Sequence, residues 1–238
     1  MNSSFITSNA TASDMVSTSM ISKIAIGYFV SLSLLIQYMQ DRRPYSLGLL
    51  MKIYNSMQII LNIYMIYGLL HITCNNIFAI NAPYQYNTEY FVYVHYLSKY
   101  LDYFDTFFII MRGKVRQQLT FLHIYHHSSI AIVWGYLLNI GHGNGTAAFG
   151  CLINSFVHLV MYSHYLYTSF GYVNPYKKYI TQIQLAQFVI CIVHFFGVYF
   201  YDIMYPKDLA YIQLFYHIKM IILFTNFYSK TYKNIATM

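Results

Sequence analysis

His123, His126 and His127 occupy i, i+3 and i+4 of the stretch FLHIYHHSSI, whose other members are apolar apart from Tyr125 and two serines. On a helix this spacing puts three imidazoles on one face. At neutral pH an imidazole is a general base, a nucleophile toward activated acyl groups and a metal ligand. Packing gives no reason to gather three of them in apolar surroundings, so the stretch reads as a reactive site. Other polar groups stand at helical spacing nearby. KYLDYFDT places Lys99, Asp102 and Asp105 at i, i+3 and i+6, with Thr106 beside them. NSFVHLVMYSHYLY places Asn154 and His158 at i, i+4, followed by Tyr162, His164 and Tyr165. TQIQLAQF opens with Thr181, Gln184 and Gln187 at i, i+3 and i+6. Taken singly, the Asn and Gln sets also suit interhelical hydrogen bonding, Lys99 with Asp102 suits a structural ion pair, and the tyrosines and methionines suit packing.

The elements that carry these groups follow from composition. Of 238 residues, 58% are hydrophobic, 20% aromatic and only 9% charged, against roughly 25% charged in a soluble domain. Apolar runs fall at about 21–39, 47–70, 90–110, 119–138, 147–168, 179–201 and 209–228, each close to the roughly 20 residues that span a hydrocarbon core. The expected fold is an all-α membrane protein with seven transmembrane helices. It forms one domain over 21–228, between a polar segment, 1–20, and a tail, 229–238. Pro44, Pro83, Pro175 and Pro206 all lie between the runs, as uninterrupted helices require.

Basic residues set the orientation. Arg42 and Arg43, then Arg112, Lys114 and Arg116, then Lys177 and Lys178, then Lys230 and Lys233 fall on alternate connections, while the opposite set holds only Lys207, between Asp202 and Asp208. The positive-inside rule makes the first set cytosolic, the N-terminus lumenal and the C-terminus cytosolic. The sequons at Asn2, Asn9 and Asn144 then all fall on the lumenal side. Residues 1–20 lack both the charged and the apolar regions of a cleaved signal peptide, so the first helix is expected to act as its own signal. The net charge of +7 is explained by loops facing an anionic leaflet, and nothing resembles a nucleic-acid surface. Cys74, Cys151 and Cys191 form no disulfide framework and read as buried small hydrophobes. If the fourth helix begins near 119 at the cytosolic face, a rise of about 1.5 Å per residue puts His123 about 6 Å deep and His126 and His127 about a turn deeper. Lys99, Asp102, Asp105 and Thr106 fall at a similar depth on the third helix. Costly intramembrane polar groups normally face a bundle interior, so their convergence from four helices is expected to mark a site.

KYLDYFDT, FLHIYHH, NSFVHLVMYSHYLY and TQIQLAQF, in that order on successive helices, resemble the signature boxes of the ELO family of fatty acid elongases. The resemblance runs from DRRPYSLGLLMKIYN to NFYSKTY. Two positions depart from the family pattern: Asp102 stands where Glu is usual, and His164 where Tyr is usual. The resemblance implies a multi-pass enzyme of the endoplasmic reticulum that condenses a long-chain acyl-CoA with malonyl-CoA, giving 3-ketoacyl-CoA, carbon dioxide and CoA without a metal or other cofactor. A ketoacyl reductase, a dehydratase and an enoyl reductase would complete the cycle, and a homodimer is compatible with the pattern.

Residue roles follow from that chemistry. No cysteine lies near the polar cluster, so a histidine must accept the acyl group, and His126 is the expected nucleophile. Asp102 or Asp105 would hold the tautomer of a helix-four imidazole. His158, with Asn154, would donate to the enolate oxygen, while His123 and His127 would orient groups or shuttle protons. Arg112, Lys114, Arg116, Lys177 and Lys178 would attract CoA phosphates, although positive-inside loop charge explains any one of them. Lys99, Thr106, Tyr162, Tyr165, Thr181, Gln184 and Gln187 complete the expected substrate contacts. Two rivals compete. HxxHH also suits a di-iron lipid desaturase or hydroxylase, and Lys219, near the middle of the last helix, would suit a Schiff base in a seven-helix receptor.

Overall fold

A computed structural model describes residues 14–233, and among them every regular element is helical. Asn2, Asn9 and most of the polar N-terminal segment lie outside the described residues, as does the end of the tail. The helices are α1 (Thr18–Met39), α2 (Gly48–Thr73), α3 (Tyr86–Leu101), α4 (Tyr103–Met111), α5 (Val115–Gln118), α6 (Phe121–Asn139), α7 (Ala147–Ser169), α8 (Lys177–Tyr201) and α9 (Lys207–Tyr228). All seven apolar runs are therefore helical. By length and composition, α1, α2 and α8 are each apolar enough to cross a membrane, with mean hydropathies of 1.7, 1.3 and 1.9. Large side chains such as Ile26, Leu34, Val193 and Phe196 are exposed along these helices. An apolar surface of this extent suits lipid and not water, and the fold is that of an all-α membrane protein.

Two compact units divide the chain. One comprises the described residues up to Ser46 together with Pro83–Ala148. Here α1 packs on α4 and α6, and α3 packs on α6. Ser17 caps α1, its hydroxyl accepting from the Met20 N–H at 3.2 Å. Tyr28, Leu32 and Met39 from α1, Tyr103 and Ile110 from α4 and Ala131 from α6 form the core. Gly135 lets α6 approach closely, since a Cβ there would lie 2.8 Å from a ring carbon of Tyr96 and 2.9 Å from Ile21.

The third apolar run departs from expectation by dividing at Asp102. Its φ of −61° and ψ of −18° remain right-handed, but the Asp105 N–H reaches back only three residues, to the Asp102 carbonyl at 3.2 Å. The turn is tightened there without reversing the chain. At its far end α4 stops on Gly113, whose φ of +66° permits the paired bonds from Gly113 N–H to Ile110 and from Lys114 N–H to Ile109, both 2.9 Å. A side chain at this position would also strike Pro44, 2.8 Å away.

Leu47–Ala82 and the described residues from Phe149 onward make up the other unit, containing α2, α7, α8 and α9. Its α8 and α9 pack together, joined by a turn built on buried Asp202. Asp202 Oδ1 accepts from the Met204 and Tyr205 N–H groups and Oδ2 from the Asn81 N–H, all at 3.0 Å. Lys207 Nζ donates to the carbonyls of Tyr199 at 2.6 Å and Asp202 at 2.7 Å. The one lysine of the expected lumenal connections thus caps a helix C-terminus, where carbonyls lack partners and a cation is favoured. Burial, aided by the Asp202 carboxylate, pushes the Tyr205 hydroxyl above its ordinary range. Cys151 and Cys191 are buried as expected, whereas Cys74, following α2, is exposed.

Asn144 bears on the third sequon. Its Nδ2 donates to the Gln85 carbonyl at 2.8 Å, while its Oδ1 accepts from Gln85 N–H at 3.1 Å and Gly145 N–H at 2.6 Å. Asn144 and Thr146 are both buried, so the amide that a glycan would need is consumed by the backbone. Asn144→Gln is expected to leave the glycan mass unchanged while destabilising the protein by about 1–3 kcal/mol. Gel mobility and thermal unfolding of the variant check the two halves.

Candidate active site

Helix α6 presents the histidines from its first two turns. Thr120 is its N-cap, and the Thr120 hydroxyl accepts from the His123 N–H at 3.2 Å. The first histidine is thus held at the point where the helix begins. Thr120→Ala should cost about 1 kcal/mol of stability, whereas Thr120→Ser should keep the bond; chemical denaturation distinguishes the two.

The imidazoles are half-buried and arranged as a rack. His123 and His127 stack with centroids 4.1 Å apart and planes 24° from parallel, and His126 stands edge-on to His127 at 5.8 Å and 86°. His123 Nε2 lies 2.9 Å from the Thr106 hydroxyl of α4, which lies 3.0 Å from Tyr28 Oη of α1. Three helices of one unit therefore meet at His123. Parallel rings send their in-plane lone pairs along parallel planes, whereas ligands to one ion must aim at a common centre. Among the described residues, no three His, Cys, Asp or Glu side chains group as metal ligands.

Lys99 and Asp102 form an ion pair at 3.3 Å across the α3/α4 junction, with side chains only 2% and 5% exposed. Asp105 is half-buried one turn on, and Thr106 is fully buried. Arg112, half-buried, and exposed Lys114 and Arg116 flank the α4/α5 turn. The rest of the expected set belongs to the other unit. Asn154 and His158 are buried on α7, where the His158 ring lies 5.7 Å from Tyr162 and Tyr162 lies 5.8 Å from exposed Tyr165. Thr181 and Gln187 are buried on α8, and Gln184 Nε2 approaches Met161 Sδ at 3.5 Å. Lys177 and Lys178 are exposed at the start of α8. His164 Nδ1 accepts from the Asn174 amide at 2.8 Å, so this departure from the family pattern anchors the loop after α7.

Residues 14–237 match the GNS1/SUR4 family, ELO. The chain belongs to this family. Among its relatives, fatty acid elongase 5 of Leishmania major is 46% identical over 205 residues, covering 86% of this chain and 82% of the relative. Fatty acid elongase 5 of Trypanosoma cruzi is 43% identical over 218 residues, covering 92% and 86%. Very long chain fatty acid elongase 5 of Mus musculus is 35% identical over 209 residues, covering 82% and 68%. Against this ELO membership the receptor reading has only Lys219, and that side chain is exposed on α9, where a retinal linkage would find no enclosure.

Several polar groups escape a reading by motif. Glu89, which accepts from the Tyr84 hydroxyl, and His95, whose ring stands edge-on to Trp134 at 4.9 Å, are both buried on α3. Glu89, Val92, Tyr96, Lys99 and Asp102 recur at steps of three and four, a periodicity that would have marked the buried stripe. On α2 the Gln58 amide donates to Tyr54 Oη at 2.9 Å and Tyr162 Oη at 3.3 Å, and Asn62 donates to the Gln58 carbonyl at 2.8 Å. Tyr162 is therefore held from α2, a connection that its own motif does not disclose.

Proposed function

We propose that this chain is the condensing enzyme of fatty acid elongation in the endoplasmic reticulum membrane, and that it works through a histidine acyl-enzyme. The observation that carries the reading is the α6 rack, whose three imidazoles belong to a unit with no cysteine, since positions 74, 151 and 191 all fall in the other. The neutral His126 imidazole attacks the acyl-CoA thioester carbonyl, the C–S bond breaks, and CoA leaves as a thiolate that takes up the proton shed by the acylated ring. The acyl-imidazole so formed is a reactive acyl donor. Malonyl-CoA loses carbon dioxide, its enolate carbon attacks the acyl carbonyl, the C–N bond to the ring breaks, and 3-ketoacyl-CoA departs as the imidazole takes back a proton from water.

Supporting roles are assigned by chemistry. Asn154 and His158 carry donors suited to an enolate oxygen. Arg112, Lys114, Arg116, Lys177 and Lys178 suit CoA phosphates; Lys99, Tyr162, Tyr165, Thr181, Gln184 and Gln187 suit the acyl thioester and malonyl carboxylate. Seven spans with a lumenal N-terminus and cytosolic C-terminus accord with the seven helical runs and the basic loops. A ketoacyl reductase, a dehydratase and an enoyl reductase would consume the product, and two chains would form a homodimer.

The test is condensation by purified protein of an acyl-CoA panel with labelled malonyl-CoA, without NADPH. Labelled 3-ketoacyl-CoA is expected, and well-folded protein that forms none from any acyl-CoA would overturn the reading.

A further inference from the structure

Tyr28 of α1 and Thr106 of α4 form a hydrogen-bond relay that ends on His123 Nε2. We infer that this relay fixes His123 as the tautomer carrying its proton on Nδ1. Tyr28 and Thr106 are then positioning residues, and His123 is a hydrogen-bond donor to the substrate and not its nucleophile. The inference rests on the proposed function for the substrate but reads the proton positions from this unit alone.

The direction of the relay follows from what each group can do. Tyr28 is buried, at 2% exposure, and its hydroxyl meets Thr106 Oγ1 at 3.0 Å. Its ring stacks on Tyr103 at 4.1 Å, but Tyr103 Oη has no hydrogen-bond partner among the described residues and takes no proton from it. A buried hydroxyl hydrogen left unpaired is costly, so Tyr28 donates to Thr106. Thr106 is fully buried and has one proton to give. A mid-helix threonine would ordinarily turn its hydroxyl back to the carbonyl four residues earlier; here the hydroxyl instead lies 2.9 Å from His123 Nε2. Having accepted from Tyr28, it donates to that nitrogen.

The reverse direction, with His123 Nε2–H donating to Thr106 and Thr106 to Tyr28, would strand the phenol hydrogen. Nε2 is thus an acceptor, and the imidazole proton sits on Nδ1. That leaves Nδ1–H as the donor the ring can offer to the substrate. The same ring lies flat against His127 at 4.1 Å, so the relay also sets the platform on which the next imidazole rests. With its Nε2 lone pair engaged, His123 contributes a donor suited to a developing oxyanion. This places Thr106 behind the reacting groups and not among the substrate contacts.

Two measurements test it. In protein labelled with 15N-histidine, the pair of ring signals that disappears in His123→Gln should show Nε2 unprotonated and Nδ1 protonated; protonated Nε2 in the wild type would overturn the inference, whether or not any variant folds. In condensation kinetics, Tyr28→Phe and Thr106→Val should each lower kcat about tenfold, the equivalent of one hydrogen bond. KM for malonyl-CoA should stay unchanged and the double variant should be no slower than Thr106→Val alone, while Thr106→Ser keeps the hydroxyl and most of the rate. Wild-type kcat in both single variants, losses that multiply in the double, or a rise in KM alone would each contradict the relay. Failure here beside an inactive His126→Ala would remove the relay and leave the acyl-enzyme standing.

Discussion

His126→Ala is expected to lower 3-ketoacyl-CoA formation by at least about 10³-fold, because loss of a covalent nucleophile removes the first chemical step and not merely an orientation. The fold should survive the change. His126 is only half-buried, and its ring meets His127 edge-on without stacking. Equal thermal midpoints for variant and wild type are therefore expected beside the lost rate. His123 and His127 should be less demanding in kcat, since one serves as a donor held by Thr106 and the other leans on that ring. If His126→Ala condensed at the wild-type rate while His127→Ala was inactive, the nucleophile would have to be reassigned within the rack.

The second large effect is on stability. Asp102→Ala leaves the Lys99 ammonium buried, at 1% exposure, without the carboxylate 3.3 Å away. Removing one partner of a buried pair costs about 3–5 kcal/mol, because the ammonium loses the carboxylate that offsets its burial. Replacing both by apolar residues of similar volume, Lys99→Met with Asp102→Leu, should recover most of that loss. Thermal unfolding in detergent reads both variants. An unchanged midpoint for Asp102→Ala would show that Lys99 is satisfied without the carboxylate. Asp102→Glu keeps the charge at a position where the ELO pattern usually has Glu, and should cost less than Asp102→Ala, about 1–3 kcal/mol for the one methylene it adds to a buried site.

The helices were legible because hydrophobic length is a strong signal. All seven apolar runs are helical, and even at the Asp102 break the backbone stays right-handed. The histidine spacing, the Lys99–Asp102 pair and the buried Asn154 and His158 could also be anticipated, since charged and imidazole side chains are conspicuous in an apolar chain. What stayed hidden depends on contacts between helices. Tyr28 is one of 28 tyrosines, and nothing in its neighbourhood along the chain distinguishes it from those that face lipid. Only the packing of α1 on α4 gives its hydroxyl a partner. Gln58 and Tyr54 are inconspicuous for the same reason, lying in a helix whose length and apolarity read simply as a span. The sequon at Asn144 shows the opposite error, a motif complete in sequence whose amide is already bonded to Gln85.

The most direct measurement of the central claim is mass spectrometry of the purified enzyme after incubation with a long-chain acyl-CoA and no malonyl-CoA. The account predicts an added acyl mass on the α6 peptide, localised to His126 by fragmentation and discharged when malonyl-CoA is added. An acyl group on a cysteine, or product formation at the full rate with no acyl-enzyme on any histidine, would contradict it.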